Sequence, residues 1–210
     1  MIGPSQASPP AHASLTRLRA AARACRACDL WERATQTVFG EGPRDARVML
    51  IGEQPGDHED ETGRPFVGPA GRMLDQALGE IGLSRESVFV TNVVKHFKWR
   101  PTPGGKRRLH ERPSRAEVAA CHPWIDAELA VVRPEFVGIL GATAAQALLT
   151  PDFSVTRQHG RVADATLAPV VVATIHPSAI LRARGATSRD SLYAGFVEDL
   201  RALVPEPVTR

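Results

Sequence analysis

The sequence predicts an α/β fold, a three-layer α/β/α sandwich around a central, mostly parallel four-stranded sheet. Four short runs are continuously apolar rather than alternating, as in strands that are buried on both faces of a sheet. Segments with helical periodicity separate these runs, and alternating strands and helices are typical of α/β domains. The predicted strands are 48–51, 88–91, 136–140 and 170–175.

Helices are predicted from apolar periodicity and from one capping signal. Met73, Leu74, Ala77, Leu78 and Ile81 share one face of a helix over 71–81. Ser114-Arg115-Ala116-Glu117 is a capping box that begins a helix reaching about Val131. The remaining predicted helices are 15–24, 142–149 and 190–203.

Length and composition indicate one globular domain with short tails. The chain has 210 residues, of which 43% are hydrophobic and 23% charged, so it differs from disordered sequences. Residues 1–13 are expected to be a disordered N-terminal tail and 205–210 a C-terminal tail, with 14–204 forming the domain. No apolar run approaches the length of about 18 residues that indicates a membrane span. With no signal-peptide pattern at the start, we expect a cytoplasmic protein. We also expect a monomer.

Polar residues follow three of the predicted strands. Glu53, Gln54 and Asp57 follow the first, Asn92 ends the second, and His176 follows the fourth. Because functional groups gather beyond the carboxyl ends of parallel strands, these side chains predict a site at that edge of the sheet. Phe66 lies in a Pro/Gly-rich loop, where it either plugs the loop or stacks on a flat ligand. Asn92 is either a turn residue or a reader of a base edge.

The cysteines indicate a metal or redox cofactor. Cys25-x-x-Cys28 and Cys121 are an odd number of thiols in a chain without an export signal. Three sulfurs leave a four-ligand site one short, and His96 and the rival His122 are candidates for the fourth ligand. Zinc and an iron–sulfur cluster are both compatible with this set, and the alternative is a group of small core residues.

Positive charge is concentrated in one loop, 95–115. The loop has eight lysines and arginines and one glutamate, a formal charge of +7, whereas the whole chain carries +3. Phe97 and Trp99 interleave with the cations, which favours a nucleic-acid contact over a merely solvated loop. His110 is, on these grounds alone, one more phosphate contact. The predicted DNA contacts are Lys95, Lys98, Arg100, Lys106, Arg107 and Arg108.

Four features together resemble the uracil-DNA glycosylase superfamily and, within it, the iron–sulfur family-four type. They are the segment GEQPGDHEDETGRPFVGPAGRML, the segment TNVVK, the HPS after the fourth strand, and CxxC with Cys121. The chain departs from family four at Gln54, at His96 and in the longer loop GGKRRLHERP, and these departures are marks of the UdgX-type subgroup. Members of that subgroup become irreversibly cross-linked to uracil-containing DNA.

The resemblance implies a role for each site residue. It implies a 4Fe–4S cluster on Cys25, Cys28, His96 and Cys121, and it raises His110 to the covalent nucleophile. Phe66, Asn92, Gln54 and His176 would bind the flipped uracil, and His176 would stabilise the departing uracilate. Glu53 would orient His110 and accept its proton, Asp57 would stabilise the sugar cation or position a water, and Arg108 would brace the loop or hold a phosphate.

Three function classes follow. The first is a single-turnover covalent trap for uracil-containing DNA, with single strands preferred. The second is an ordinary glycosylase that releases uracil with turnover. The third is a non-catalytic iron–sulfur DNA-binding module, which the presence of Glu53, Asp57, Asn92 and His176 disfavours.

Overall fold

A computed structural model describes residues 6–105, 107–163 and 166–204. The predicted α/β architecture is confirmed. Helices pack on both faces of a sheet whose strand order is β2-β1-β5-β7-β6. The strands are β1 (Val48–Gly52), β2 (Val88–Asn92), β5 (Phe136–Leu140), β6 (Gly160–Arg161) and β7 (Val170–Thr174). The first four in the order β2-β1-β5-β7 are parallel, and they correspond to the four apolar runs.

The sheet has five strands rather than the predicted four. The extra strand, β6, is two residues long and pairs antiparallel with the edge of β7. Its sequence, Gly-Arg, carries no apolar run, which explains why the pattern did not predict it. A separate two-stranded hairpin, β3 (Trp99–Pro101) with β4 (Arg108–His110), forms within the loop predicted from its charge.

Among the described residues, the α-helices include all five predicted ones and two others, and Asp29–Glu32 and Arg85–Ser87 form short 3-10 helices. Leu15–Ala22 (α1), Pro69–Glu80 (α3), Arg115–Val132 (α4), Ala142–Leu148 (α5) and Ala186–Arg201 (α7) match the predictions within a few residues. The predicted capping box at Ser114 and Glu117 is present at the start of α4. The unpredicted helices are Asp57–Thr62 (α2) and Pro177–Arg182 (α6), both six residues long.

Two apolar cores lie between the layers, one on each face of the sheet. One lies between the sheet and the side that carries α1, α4 and α5, and the other lies under α3, α6 and α7. Within the predicted N-terminal tail, Ala7 is buried and its backbone N–H donates to Ala120 O at 2.9 Å. The predicted C-terminal tail lies outside the described residues. None of the described helices has the length and hydropathy needed to cross a membrane.

Candidate active site

The predicted site residues come together at the carboxyl ends of β1, β2 and β7. One solvent-open pocket is lined by Gln54, Asp57, Phe66, Asn92, His110 and His176. Glu53 lines an adjoining groove, which shares Gln54, His110 and His176 with that pocket. Since β1, β2 and β7 are parallel members of one sheet, their following residues meet at this edge, as the sequence predicted.

Phe66 and Asn92 form the inner wall of the pocket, and two glycines make room for them. Phe66 has a left-handed backbone (φ 55°), and a Cβ at Gly71 would lie 1.8 Å from Phe66 O. A Cβ at Gly52 would lie 2.5 Å from Asn92 Oδ1 and 2.6 Å from Phe66 Cζ. Asn92 Oδ1 is buried and accepts no hydrogen bond from the described residues. An unpaired buried acceptor beside an aromatic ring is arranged for a planar ligand with an N–H donor.

His176 presents a proton to the pocket. Its Nδ1 accepts the backbone N–H of Ser178 at 3.2 Å, so the ring proton lies on Nε2. Ser178 Oγ is a second partner of Nδ1, at 2.8 Å, and accepts a hydrogen bond from Arg182. Burial lowers the pKa of His176 to about 4, with a smaller contribution from Arg182. His176 is therefore a neutral donor at pH 7.

His110 lies at the end of β4, and Gln54 fastens the hairpin to the sheet edge. Gln54 Oε1 accepts Lys98 N at 3.0 Å, which turns its Nε2 toward Glu111 O (2.8 Å) and His110 Nε2 (2.9 Å). Gln54 was predicted to hold the base, but its amide is committed to the hairpin. Burial lowers the pKa of half-exposed His110, while Glu53, whose Oε1 lies 3.5 Å from His110 Nε2, opposes that shift.

Arg108 braces the same hairpin against α2. Its Nη1 lies 2.5 Å from Asp60 Oδ2 and 3.2 Å from Thr35 Oγ1. Asp57 Oδ1 lies 2.5 Å from Arg108 Nε, although the two are not aligned as a hydrogen bond. The guanidinium also lies over the rings of Phe97 and Trp99. Of the two roles predicted for Arg108, these contacts fit the brace.

The other predicted DNA contacts differ in exposure. The prediction for Lys95 is wrong, because its side chain is 1% exposed and paired with Glu128 at 2.7 Å. Lys98 is partly buried and paired with Glu117 at 3.0 Å. Arg100 and Arg107 are exposed on the hairpin. Lys106 lies outside the described residues.

The four predicted metal ligands line one small cavity. Cys25 and Cys28 follow α1, His96 follows β2, and Cys121 is on α4. The rival His122 faces another groove, where its Nε2 lies 3.3 Å from Asp126. All three thiols are free. Among the described residues, no three or more His, Cys, Asp or Glu side chains converge closely enough to hold a single metal ion.

Three of the side chains that line this cavity, Cys25, His96 and Cys121, form hydrogen bonds with neighbouring residues. Lys95 N donates to Cys121 Sγ at 3.3 Å, and Trp124 Nε1 donates to Cys25 Sγ at 3.4 Å. Thr37 Oγ1 donates to Ala22 O at 3.1 Å, so it must accept from His96 Nε2 at 2.9 Å, which leaves a lone pair on His96 Nδ1. Burial lowers the pKa of His96 to about 4 and raises that of Cys121 to about 12.

Two carboxylates that shape the site were not predicted. Glu59 is buried, and its oxygens accept the backbone N–H groups of Gly56, Val67 and Gly68, which fixes the loop around the pocket. Asp60, also buried, holds Arg108 and the backbone of Thr35. Both lie in the acidic run 57–61, where nothing in the sequence separates buried carboxylates from solvated ones.

Comparisons with known proteins agree on one family. A family model described as the uracil DNA glycosylase superfamily matches residues 39–201. The type-4 uracil-DNA glycosylase of Thermotoga maritima is 40% identical over 161 residues, covering 76% of this chain and 79% of that protein. The type-4 enzyme of Pyrobaculum aerophilum is 36% identical over 195 residues, covering 89% and 91%.

A more distant sequence relative and a solved structure extend the comparison. The type-5 uracil-DNA glycosylase of Pyrobaculum aerophilum is 31% identical over 181 residues, covering 78% of this chain and 75% of that protein. The crystal structure of wild-type Pedobacter heparinus SMUG2 aligns with a TM-score of 0.50 at 15% identity, covering 76% of each chain. At that identity the structural match concerns the fold alone.

Proposed function

The chain belongs to the uracil-DNA glycosylase superfamily, and we propose that it cleaves uracil from DNA and is then trapped as a covalent adduct through His110. The observation that carries the trapping step is the location of His110. A half-exposed imidazole lies at the mouth of the base pocket, 3.5 Å from Glu53 and fastened by Gln54. An ordinary glycosylase admits water at this point, whereas here a nucleophile already occupies it.

Uracil recognition rests on Phe66 and Asn92. The base leaves the DNA stack and enters the pocket, since its glycosidic bond is inaccessible within a stacked strand. The Phe66 ring stacks on the base, and the unpaired Asn92 Oδ1 accepts the N3–H of uracil. Cytosine has no proton at N3, so it would leave Asn92 Oδ1 buried and unpaired. This acceptor therefore selects uracil over cytosine.

Bond cleavage rests on His176. As the bond between C1′ and N1 breaks, its electron pair moves onto the base and spreads to the carbonyl oxygens. The Nε2–H of neutral His176 donates to the oxygen where this charge develops, which stabilises the uracilate leaving group. The sugar passes through an oxocarbenium-like state, whose positive charge the nearby carboxylates of Glu53 and Asp57 stabilise.

Trapping follows when His110 attacks the sugar cation. Gln54 donates to His110 Nε2, so the imidazole proton lies on Nδ1 and the lone pair lies on Nε2. The hydrogen bond from Gln54 must break before Nε2 attacks. Nε2 forms a bond to C1′, the imidazolium charge is offset by Glu53, and Nδ1 releases its proton to solvent. The uracil anion takes a proton from solvent. Because alkylated imidazole is a poor leaving group, the protein acts once.

The DNA strand is held by the exposed cations of the hairpin. Exposed Arg107 can approach phosphates beside the flipped nucleotide, and so can Arg100, whose exposed side chain also lies 3.7 Å from Glu111 Oε1. Affinity from such contacts falls as salt concentration rises, because bound phosphates release counterions. We expect single-stranded substrates to be preferred, since no duplex has to be opened to flip the base.

A 4Fe–4S cluster fits the cysteine cavity. Buried thiols with a raised pKa become thiolates only beside a positive charge such as a metal centre, and N–H donors already point at two of the sulfurs. Cys25, Cys28, Cys121 and His96 Nδ1 would hold the cluster. When bound, the cluster ties together α1, β2 and α4, and glycosidic cleavage needs no electron from it.

Counting released uracil tests the proposed function. The protein is mixed with an excess of a uracil-containing single-stranded oligonucleotide, and free uracil is measured over time. We expect release to stop near one uracil per protein molecule, with the mass of the protein increased by the mass of the oligonucleotide minus that of uracil. Release far beyond one equivalent would mean an ordinary glycosylase, and no release would reject glycosylase activity.

A further inference from the structure

A fully buried ion pair lies behind the base pocket. Lys95 Nζ and Glu128 Oε2 are 2.7 Å apart, and their side chains are 1% and 0% exposed. Neither group reaches the pocket or solvent, so the steps above do not use them. Burying two charges is costly, and a well-packed apolar pair is often at least as stable. A buried pair of this kind therefore points to a task other than stability.

The hydrogen bonds of the pair are fully satisfied. The ammonium has three protons, and it donates them to Thr91 Oγ1, Asn92 O and Glu128 Oε2, each at 2.7 Å. Glu128 also accepts Thr91 Oγ1 at 2.9 Å and Gly40 N at 3.0 Å. A Cβ at Gly40 would lie 2.6 Å from Glu128 Oε1, so this glycine makes room for the carboxylate. Because each of these hydrogen bonds has its own partner, the network holds the Lys95 and Glu128 side chains in one arrangement.

The network fixes the end of β2, where Asn92 lies. Lys95 Nζ holds the peptide oxygen of Asn92, the residue whose side-chain oxygen is buried and unpaired. The next two residues reach across to β1: Val93 N donates to Gly52 O at 2.9 Å, and Val94 N donates to Glu53 O at 3.0 Å. The turn between Asn92 and Lys95 thus holds both Asn92 and the backbone of Glu53.

We propose that Lys95, held by Glu128, is a positioning residue that aims the Asn92 side chain at the base. This inference rests on the proposed function, because it assigns base reading to Asn92. The hydrogen bond from Lys95 Nζ to the peptide oxygen of Asn92 fixes the position of Asn92 Oδ1 relative to Phe66. A displacement of about 1 Å in such a group is enough to lower a rate about 100-fold.

The test uses a double variant that removes both charges at nearly constant volume, Lys95→Met with Glu128→Gln. Lys95→Met alone would leave Glu128 buried without a partner and threaten folding. In single-turnover assays we expect uracil excision to fall about 10- to 100-fold. Binding of a uracil-free oligonucleotide should stay within about twofold, since that binding depends on surface phosphate contacts. Arg47→Met with Glu135→Gln, which removes an exposed ion pair remote from the site, should leave the rate unchanged.

A double-mutant cycle separates positioning from a structural role. Asn92→Ala should lower excision about 100-fold, and adding the Lys95/Glu128 changes should then lower it by no more than about threefold further. The inference would be overturned if the combined variant lost as much as the product of the two separate fold-decreases in excision rate. A wild-type rate in the Lys95/Glu128 variant would overturn it as well. If that variant does not fold, Thr91→Val, which removes one partner of Lys95, takes its place. We expect Thr91→Val to lower the excision rate less, and to lower it little further when it is combined with Asn92→Ala.

The same assays separate this inference from the function on which it rests. Wild-type protein that releases no uracil would overturn the proposed function and this inference with it. Wild-type protein that excises uracil, together with losses that multiply in the cycle, would overturn only the role of Lys95.

Discussion

At the residue scale, the two histidines of the pocket are neutral, as the different roles proposed for them require. His176 has its Nδ1 occupied by Ser178, so its ring proton lies on Nε2. His110 receives a hydrogen bond from Gln54 at Nε2, so its ring proton lies on Nδ1. Burial lowers the pKa of both imidazoles, and the closeness of the two rings adds to this effect at His176. A neutral imidazole is the form required for each task.

The lowered pKa of His110 predicts the pH dependence of cross-linking. Only the neutral imidazole is nucleophilic, and its pKa lies below the ordinary value of 6.5. The rate of adduct formation should therefore be flat between about pH 7 and 8 and should fall only below pH 6.5. Quenched time courses across this range measure it. A midpoint at or above 6.5 would mean that Glu53 outweighs burial. Excision by the variant His110→Gly, which lacks the imidazole, is the control.

If the protein is trapped through His110 as proposed, replacing His110 by a small residue should convert it into a catalyst with turnover. In His110→Gly or His110→Ser, water enters the space of the imidazole and attacks C1′, so uracil release should continue well beyond one equivalent without an adduct. His12→Gly is the matched control, since His12 is exposed and has a left-handed backbone (φ 51°) that glycine adopts freely. A His110→Gly protein that still cross-links would reject His110 as the attachment point.

At the element scale, the β3–β4 hairpin carries His110, the residue on which the proposed trapping depends. The sequence indicated a basic loop there because Pro101, Pro103 and two adjacent glycines are turn formers. The hairpin is three residues long on each strand, and its position depends on Gln54 and Arg108 rather than on its own pairing. Contacts between residues distant in sequence are not encoded in local patterns. The loop and its charge could therefore be predicted, but its attachment could not.

Loosening this attachment should affect trapping more than excision. Arg108→Ala removes the ion pair to Asp60, so we expect adduct formation to slow about 10- to 100-fold while uracil release in the first turnover changes less. The neighbouring exposed Arg107→Ala is the matched control. It should keep the rate at low salt and lower the salt dependence of binding by about one unit of slope. Equal losses of trapping in both variants would contradict the bracing role of Arg108.

At the scale of the whole molecule, the parallel sheet determines where the site forms. The four buried strands were predictable because each is an unbroken apolar run, and parallel pairing then places Asn92, Gln54 and His176 at one edge. The buried pair of Lys95 and Glu128 was not predictable, since the partners are 33 positions apart and a lysine beside a basic loop indicates a surface. Helix α2 was also missed, because its six residues are polar and show no apolar period.

The cysteine cavity joins three parts of the chain, which predicts a structural role for the cluster. Cys28→Ala should lower the free energy of unfolding by about 3 kcal/mol, equal to a decrease in Tm of roughly 10 °C. The rate of uracil excision by the folded fraction should change less. Thermal melting, iron content and single-turnover excision measured on the same sample decide this. An unchanged Tm with lost chemistry would mean that the cluster acts in the reaction.

The covalent bond through His110 is tested most directly on a denaturing gel. The protein is mixed with a labelled single-stranded oligonucleotide that carries one uracil, and a thymine oligonucleotide serves as the control. We predict a uracil-dependent band that survives heat and detergent, with peptide mapping that locates the attachment at His110. Absence of that band, together with alkali-labile cleavage at the uracil and substrate consumed beyond one equivalent, would contradict trapping and indicate a glycosylase with turnover.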